Sequence, residues 1–476
     1  MKNIIKILLL LIISLIDLQC KRNDLPIGNF IAPKYCWEIN DWSGLMTDRQ
    51  LYTSEIPSIP SVDPNYTIWL NNKNNSVDIR SLTSDNYADL QCLKPYFEDK
   101  TLIQLGESSH GTREYSQIKV RLIKFLHEQM GFDVIAFESG FFECYLTNQN
   151  IAQLSELQAI ENSIFYGVWG TTDVLELFNY IKATQTTDHP LSLAGFDCQF
   201  TSILNNINNH PAVLYEIISK ADSQFASTQR TFDFITIYRL NNYHNYKPYF
   251  LQYKDSIKRN YQKIISFIYN HANELLDSFP QRPVYPLFLA QSINSIISNI
   301  DFLLSSDNTL AGNPTSIKIR DSAMAANVIF LKETLYPKKK MILWAHNYHI
   351  ANAAFHHALS PDIKNMGIWL KEKYREKIYS VGLYMLRGKT KTDWNWTVIN
   401  IPPPTTSNSL EAILYSCRKK SLFIDLLDHF YCYGNKWMYS DITAKASGFA
   451  DEHMIIRNVY DGIVFIDSSS VPIYLP

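Results

Sequence analysis

Apolar residues in this chain fall into two regular patterns. Short runs are apolar on both faces, and longer stretches carry apolar residues three and four apart. Leu102-Ile103-Gln104-Leu105, Val134-Ile135-Ala136-Phe137, Leu191 to Phe196, Lys340 to Trp344, Ile378 to Leu383 and Ile463 to Ile466 belong to the first kind. Such runs predict strands covered on both sides, as in a parallel sheet. Ile118, Leu122, Phe125, Leu126 and Met130 belong to the second kind and predict a helix that ends at Gly131. A strand, this helix and the Val134 strand in succession imply a right-handed crossover between parallel neighbours.

The same alternation continues along the chain. A helix is expected over Tyr87–Phe97, and two more between Thr147 and about Thr186, separated near Gly167-Val168-Trp169-Gly170. From about residue 205 to 315 the pattern is helical throughout, with a stripe at Ile257, Tyr261, Ile264, Ile265 and Ile268. Pro280, Pro283 and Pro286 break it before a helix over Leu287–Leu304. An insertion of this length between two core strands reads as a helical cap. Met324, Val328, Leu331 and Leu335 then mark the helix leading to the Lys340 strand. The fold class is α/β, a mostly parallel sheet with an added helical cap.

The N-terminus follows neither pattern. Lys2 and Lys6 precede an apolar run from Ile7 to Ile16, too short to span a bilayer, so residues 1–20 read as a secretory signal. Cys20, followed by Lys21-Arg22-Asn23-Asp24, suggests a lipoprotein signal with Cys20 acylated. Asp17, Leu18 and Gln19 depart from its usual residues. The expectation is an exported protein, periplasmic or tethered to a membrane through Cys20. Residues 21–85 read as an irregular lead-in, and residues 86–476 as the α/β domain.

Composition narrows the function. Lys+Arg 44 against Asp+Glu 46 leaves almost no net charge, which argues against a nucleic-acid partner. With 46% hydrophobic and 19% charged residues the 476-residue chain can bury a large core. The seven cysteines include no Cys-x-x-Cys pair, so no zinc ribbon or thioredoxin site is signalled. Disulfide pairing and oligomeric state stay open.

Four strand ends carry polar residues: Glu107 with His110, Glu138, Asp197, and His346 with His349. In a parallel sheet these ends share one edge, so they are expected to converge where α/β proteins place their chemistry. Histidines take protons near neutral pH, and carboxylates orient them. Each residue also has a plain structural use. Glu107 could cap the next helix, and the histidines could be satisfied loop residues. Gly106-Glu107-Ser108-Ser109-His110 does not fit the G-x-S-x-G elbow of serine hydrolases. His346-x-x-His349 with Glu107 and His110 could serve zinc, but its spacing is generic, and neither metal nor cofactor is expected.

Several ordered motifs resemble the erythromycin esterase family. Gly106-Glu107-Ser108-Ser109-His110-Gly111-Thr112-Arg113-Glu114 is similar to its G-E-x-x-H-G-T-x-E motif, and Ile135-Ala136-Phe137-Glu138 to its second motif. Arg320-Asp321 with Met324 and Asn327 resembles its R-D-x-x-M-A-x-N helix, and Trp344-Ala345-His346-Asn347-Tyr348-His349 its W-A-H-N-x-H strand end. Tyr460 to Asp467 is similar to its C-terminal strand. The match runs from roughly Tyr87 to the end. The resemblance implies a three-layer α/β core and a hydrolase opening an ester or macrolactone with water, as in macrolide inactivation. It implies His110 as general base, Glu107, Glu138, His346 and His349 as its partners, and Arg121 or Lys119 as the basic residue. Lys119, Asp197 and Asn347 are expected to contact substrate. Two other readings remain at this point, a non-catalytic ligand-binding surface lipoprotein and a metal-dependent hydrolase using the same residues.

Overall fold

Runs apolar on both faces become the centre of a nine-stranded mixed sheet in the computed structural model, which describes residues 59–306, 313–354, 363–392 and 397–476. The strands are β1 (Val77–Asp78), β2 (Leu102–Leu105), β3 (Phe132–Gly140), β4 (Ser192–Asp197), β5 (Lys340–Trp344), β6 (Ile378–Lys391), β7 (Val398–Asn400), β8 (Ser421–Asp425) and β11 (Gly462–Ser469). A separate hairpin is formed by β9 (Asp441–Ala446) and β10 (Ala450–Ile455). The order across the sheet is β1-β8-β11-β6-β2-β5-β3-β4, with β7 paired to β6. From β11 to β4 every neighbouring pair is parallel; β8 runs antiparallel to both β1 and β11.

Side chains alternate between two buried faces with the strand period of two. Leu102, Val134, Ala136, Met341 and Leu343 face the cap side, while Ile103, Leu105, Ile135, Phe137, Ile342 and Trp344 face the other. Helices cover both faces. Arg113–Met130 buries Tyr115, Ile118, Leu122 and Phe125 on the second face and ends on Gly131 at φ 69°. Between β4 and the Pro314–Phe330 helix stand the cap helices, among them Ser223–Asn241, Tyr243–Asn270 and Tyr285–Ser305. Tyr285–Ser305 is long and apolar enough to cross a membrane by composition, but it packs in the cap with Phe288, Leu289, Ile293 and Ile300 buried.

Three expectations change. Within the stretch read as an irregular lead-in, Val77–Asp78 forms a strand that pairs with Phe423 and Leu422 and extends the sheet. Tyr87–Phe97 is not one helix; it holds a short 3-10 turn and Lys94–Phe97. Two helices expected between Thr147 and Thr186 are replaced by Phe141–Asn150, Glu156–Ser163, Tyr166–Trp169 and Thr172–Thr184. Residues 1–20, Cys20 and Cys36 lie outside the described residues.

Candidate active site

Glu107 reaches the sheet edge because the chain stays hydrogen-bonded beyond β2. Gly106 N–H donates to Val381 O at 2.9 Å, Ser108 N–H to Leu383 O at 3.2 Å, and Asn347 N–H to Glu107 O at 2.8 Å. Gly106 must lack a side chain, since a Cβ there would stand 2.1 Å from Asn347 Oδ1. The Glu107 carboxylate is buried and takes three donors. His110 Nδ1 lies 2.6 Å away, Trp169 Nε1–H donates at 3.0 Å, and Lys119 Nζ closes the set.

Burial alone would raise the Glu107 pKa, but Lys119 and His110 outweigh it and hold the carboxyl below its ordinary value. The ionised Glu107 therefore accepts from His110 Nδ1–H, and Nε2 is the nitrogen that would take a proton. Lys119 has the reverse balance. Burial lowers its pKa to about 8 despite Glu107. Its ammonium also lies 4.0 Å from the Trp344 ring centroid, a cation–π contact.

A second carboxylate, Glu138 near the end of β3, anchors the other half. Arg320 from the Pro314–Phe330 helix donates to Glu138 at 2.7 Å and to Asp197, the last residue of β4, at 2.6 Å. His349 Nε2 lies 3.2 Å from Glu138 Oε1, and its Nδ1 lies 2.8 Å from Asp321. Burial would lower the His349 pKa, but Asp321 and Glu138 lift it to about 10. Both ring nitrogens then carry protons, so Arg320, 3.2 Å from Nε2, is a close cationic neighbour rather than a donor to it. Glu138 itself is held well below its ordinary range, burial being outweighed by His349 and Arg320.

His346 joins the halves. Its backbone N–H donates to Glu138 at 2.9 Å, its Nε2 contacts Ser108 O at 3.2 Å, and its ring centroid lies 5.1 Å from that of His110. Glu107, His110, Lys119, Glu138, Asp197, His346 and His349 thus come together.

Arg121 does not join them. It is two residues from Lys119 on one helix, so it points to the opposite side. There it donates to Ser81 O, Ser84 O and Asn86 O and pairs with Asp89. Asn347 is structural as well, its amide bonded to both the N–H and the C=O of Leu383. Asp197 and Lys119 are buried beneath the site and are engaged by Arg320 and Glu107 rather than presented to a substrate. Arg320 at 19% exposure and His110 at 16% reach solvent, with His349 at 11% and the part-buried His346 beside them.

Arg320, Asp321 and Trp169 are site residues that strand ends could not reveal. The first two stand in a recognised motif but come from a helix. Trp169 was legible only as an aromatic between Gly167 and Gly170. Ser108 and Ser109 are not offered to His110, being bonded at 2.8 Å to Tyr115 and Thr390. Among the described residues no group of three His, Cys, Asp or Glu side chains is arranged to hold a metal.

The family model for erythromycin esterase matches residues 127–469, most of the chain. The chain belongs to the erythromycin esterase family. YbfO of Bacillus subtilis (strain 168), named a presumed hydrolase, is 34% identical over 390 residues, covering 80% of this chain and 86% of that protein. Erythromycin esterase type II of Escherichia coli is 38% identical over only 64 residues, 13% of this chain and 15% of that one. Two solved structures share the fold at low identity. A succinoglycan biosynthesis protein superposes with a TM-score of 0.66 at 18% identity, covering 88% of this chain and all of that one. A histidine-to-asparagine mutant of the erythromycin esterase EreC in its open conformation gives 0.58 at 17%, covering 83% and 98%. The protein is a hydrolase of this family with an α/β fold.

Proposed function

We propose that this erythromycin esterase family hydrolase cleaves a carboxylic ester or macrolactone by one direct attack of water. The observation that carries this reading is the 2.6 Å contact between His110 and an ionised, buried Glu107 at the opening of the site. His110 Nε2 takes a proton from water, and the new hydroxide attacks the ester carbonyl carbon. As the tetrahedral intermediate collapses, the C–O bond to the alkoxide breaks, and His110 returns the proton to that oxygen. General-base assistance of this kind is worth about 10²–10⁴-fold. Arg320 is the cation nearest the opening and is suited to the developing oxyanion, where one such donor contributes roughly 3 kcal/mol.

His349 is a poor base in this scheme. With its pKa near 10 it is already protonated at neutral pH and serves to fix Glu138. The engaged hydroxyls of Ser108 and Ser109 favour water over a serine nucleophile. Membership of the family supports an ester or lactone as the substrate, and erythromycin is the first compound to test.

The decisive experiment is His110→Ala assayed on erythromycin and a panel of p-nitrophenyl acyl esters. Turnover should fall by about 10²–10⁴-fold with the melting temperature near that of the parent. Full activity in the variant would overturn the assignment of the base, and intact-mass detection of an acyl adduct on the parent would overturn direct attack.

A further inference from the structure

The loop leaving β8 presents aromatic rings to solvent in a way folding cannot explain. Phe430 is 98% exposed, Tyr431 and Tyr433 are each 60% exposed, and Leu427 is 40% exposed. Ile68, on the adjoining Pro64–Leu70 helix, is 70% exposed. That helix and the loop are packed together, with the Trp69 and His429 rings 4.9 Å apart and edge to face. A patch of this kind on a soluble surface marks an interaction site.

The loop is built to hold this shape. Asp425 accepts from the N–H groups of Leu427 and Asp428 at 3.0 and 2.7 Å. Asn435 accepts from Cys432 N–H at 2.7 Å and donates to the carbonyl of Phe430 itself at 2.9 Å. Tyr439 donates to His429 O at 2.5 Å. Backbone bonds on both sides of Phe430 keep the ring from folding back onto the protein. The result is a convex, rigid aromatic protrusion, not a groove awaiting a peptide.

Its position follows from strand direction. β8 is antiparallel to β11, with Asp425 opposite Gly462, the first residue of β11. The loop therefore leaves the sheet at the edge where the parallel strands begin. Glu107, Glu138, Asp197 and His346 stand at the edge where they end. The patch and the site face away from each other.

We infer that the Leu427–Tyr433 loop with Ile68 is a docking surface for a phospholipid bilayer, which leaves the active site turned toward solution. Two features of the patch and one expectation from the sequence select a membrane. Tyr431 and Tyr433, with apolar bodies and polar tips, suit the headgroup boundary, and the wholly apolar Phe430 ring beside them suits the acyl chains below it. Convexity suits a deformable surface. The expected acylation of Cys20 would tether the chain, and the 38 residues from 21 to 58 extend no further than about 130 Å even fully stretched. The inference does not depend on the proposed reaction.

The test uses the full chain with Cys20→Ser, Cys36→Ser and Cys92→Ser, leaving Cys432 as the exposed thiol within the patch. Cys432 carries a polarity-sensitive fluorophore, and the probe surface is vesicles of phosphatidylethanolamine and phosphatidylglycerol. Vesicles should blue-shift the label and allow quenching by spin-labelled lipid. Phe430→Ser with Tyr431→Ser should weaken this partitioning by roughly tenfold or more, as expected for losing a buried ring. A label placed instead by Lys389→Cys, with Cys432→Ser, should not shift, because it lies at the opposite edge. No shift at Cys432 on adding vesicles, whether or not the protein binds them, would overturn the inference, as would equal shifts at both positions. A shift that needs no vesicles and grows with protein concentration would also overturn it and identify a second copy of the chain as the occupant.

Discussion

Two histidines in this protein have nearly the same wiring and different surroundings. His110 Nδ1 lies 2.6 Å from Glu107 at the sheet edge, and His210 Nδ1 lies 2.7 Å from Asp233 inside the cap. His210 goes further toward a familiar constellation, because its Nε2 lies 2.9 Å from Ser292 Oγ. Serine, histidine and aspartate are thus linked in the order of a hydrolytic triad. Yet His210 and Asp233 are fully buried, Tyr261 donates to the second Asp233 oxygen at 2.8 Å, and Phe142 packs on the imidazole at 4.9 Å. Ser292 also donates to Leu289 O, as a hydroxyl satisfied within its own helix does. Connectivity alone therefore does not make a site. His110 differs in reaching solvent and in being faced by a second cluster of charges.

The largest test of this contrast is an exchange of effects. His210→Ala should cost about 3–5 kcal/mol of stability by removing one partner of the buried Asp233 carboxyl, which keeps only Tyr261 as a donor. Chemical denaturation would read this loss, and turnover per folded molecule should stay at the parental level. His110→Ala should do the reverse. A catalytic defect in folded His210→Ala would break the comparison.

Arg320→Lys sharpens it from the side of the site. Lysine keeps the charge but cannot bridge Glu138 and Asp197 with a planar fork. A loss of about 10²-fold in kcat is expected, with KM changing less. Unchanged kcat would remove Arg320 from the oxyanion role.

Arg121→Met should cost about 1–3 kcal/mol, from the carbonyls of Ser81, Ser84 and Asn86 that lose a charged donor, with no change in kcat. A fall in kcat without loss of stability would restore Arg121 to the site.

The smallest effect is one of pH. The folded pKa of His349, about 10, lies above its unfolded value near 6.5. Its contribution is complete below pH 6.5 and declines as pH rises toward 10, on the order of 1 kcal/mol per pH unit. Lys119 has the opposite sign between pH 8 and 10.5, because its folded pKa of about 8 lies below the unfolded one. Between pH 6.5 and 8, then, the stability difference between parent and His349→Gln should shrink as pH rises. A difference that grows over that window would show that His349 is neutral in the folded protein.

What the residues reveal in advance depends on where each one sits. Buried central strands are legible because both faces are covered, so Val134–Phe137 and Ile342–Trp344 read as unbroken apolar runs. β8 was not anticipated, since Leu422-Phe423-Ile424 is only three apolar residues between Lys419-Lys420 and Asp425. β1 has two residues and no period at all. In the site, Glu107, His110, Glu138, His346 and His349 were readable as strand-end residues. Lys119 and Arg121 could not be separated, because a helix two residues apart offers opposite faces and only packing says which one meets the sheet edge. Arg320 and Asp321 required knowing that the helix after the cap returns across the ends of β3 and β4.

Across that edge Asp321, His349, Glu138, Arg320 and Asp197 stand in contact one after the next, with the sign of charge alternating at every step. Each interior member is balanced by two neighbours from other segments of the chain. Replacing any one of them by a neutral residue deprives two partners at once, whereas removing an opposite pair from either end leaves the other three members alternating. In a lineage of such proteins, this row should therefore change in steps of two.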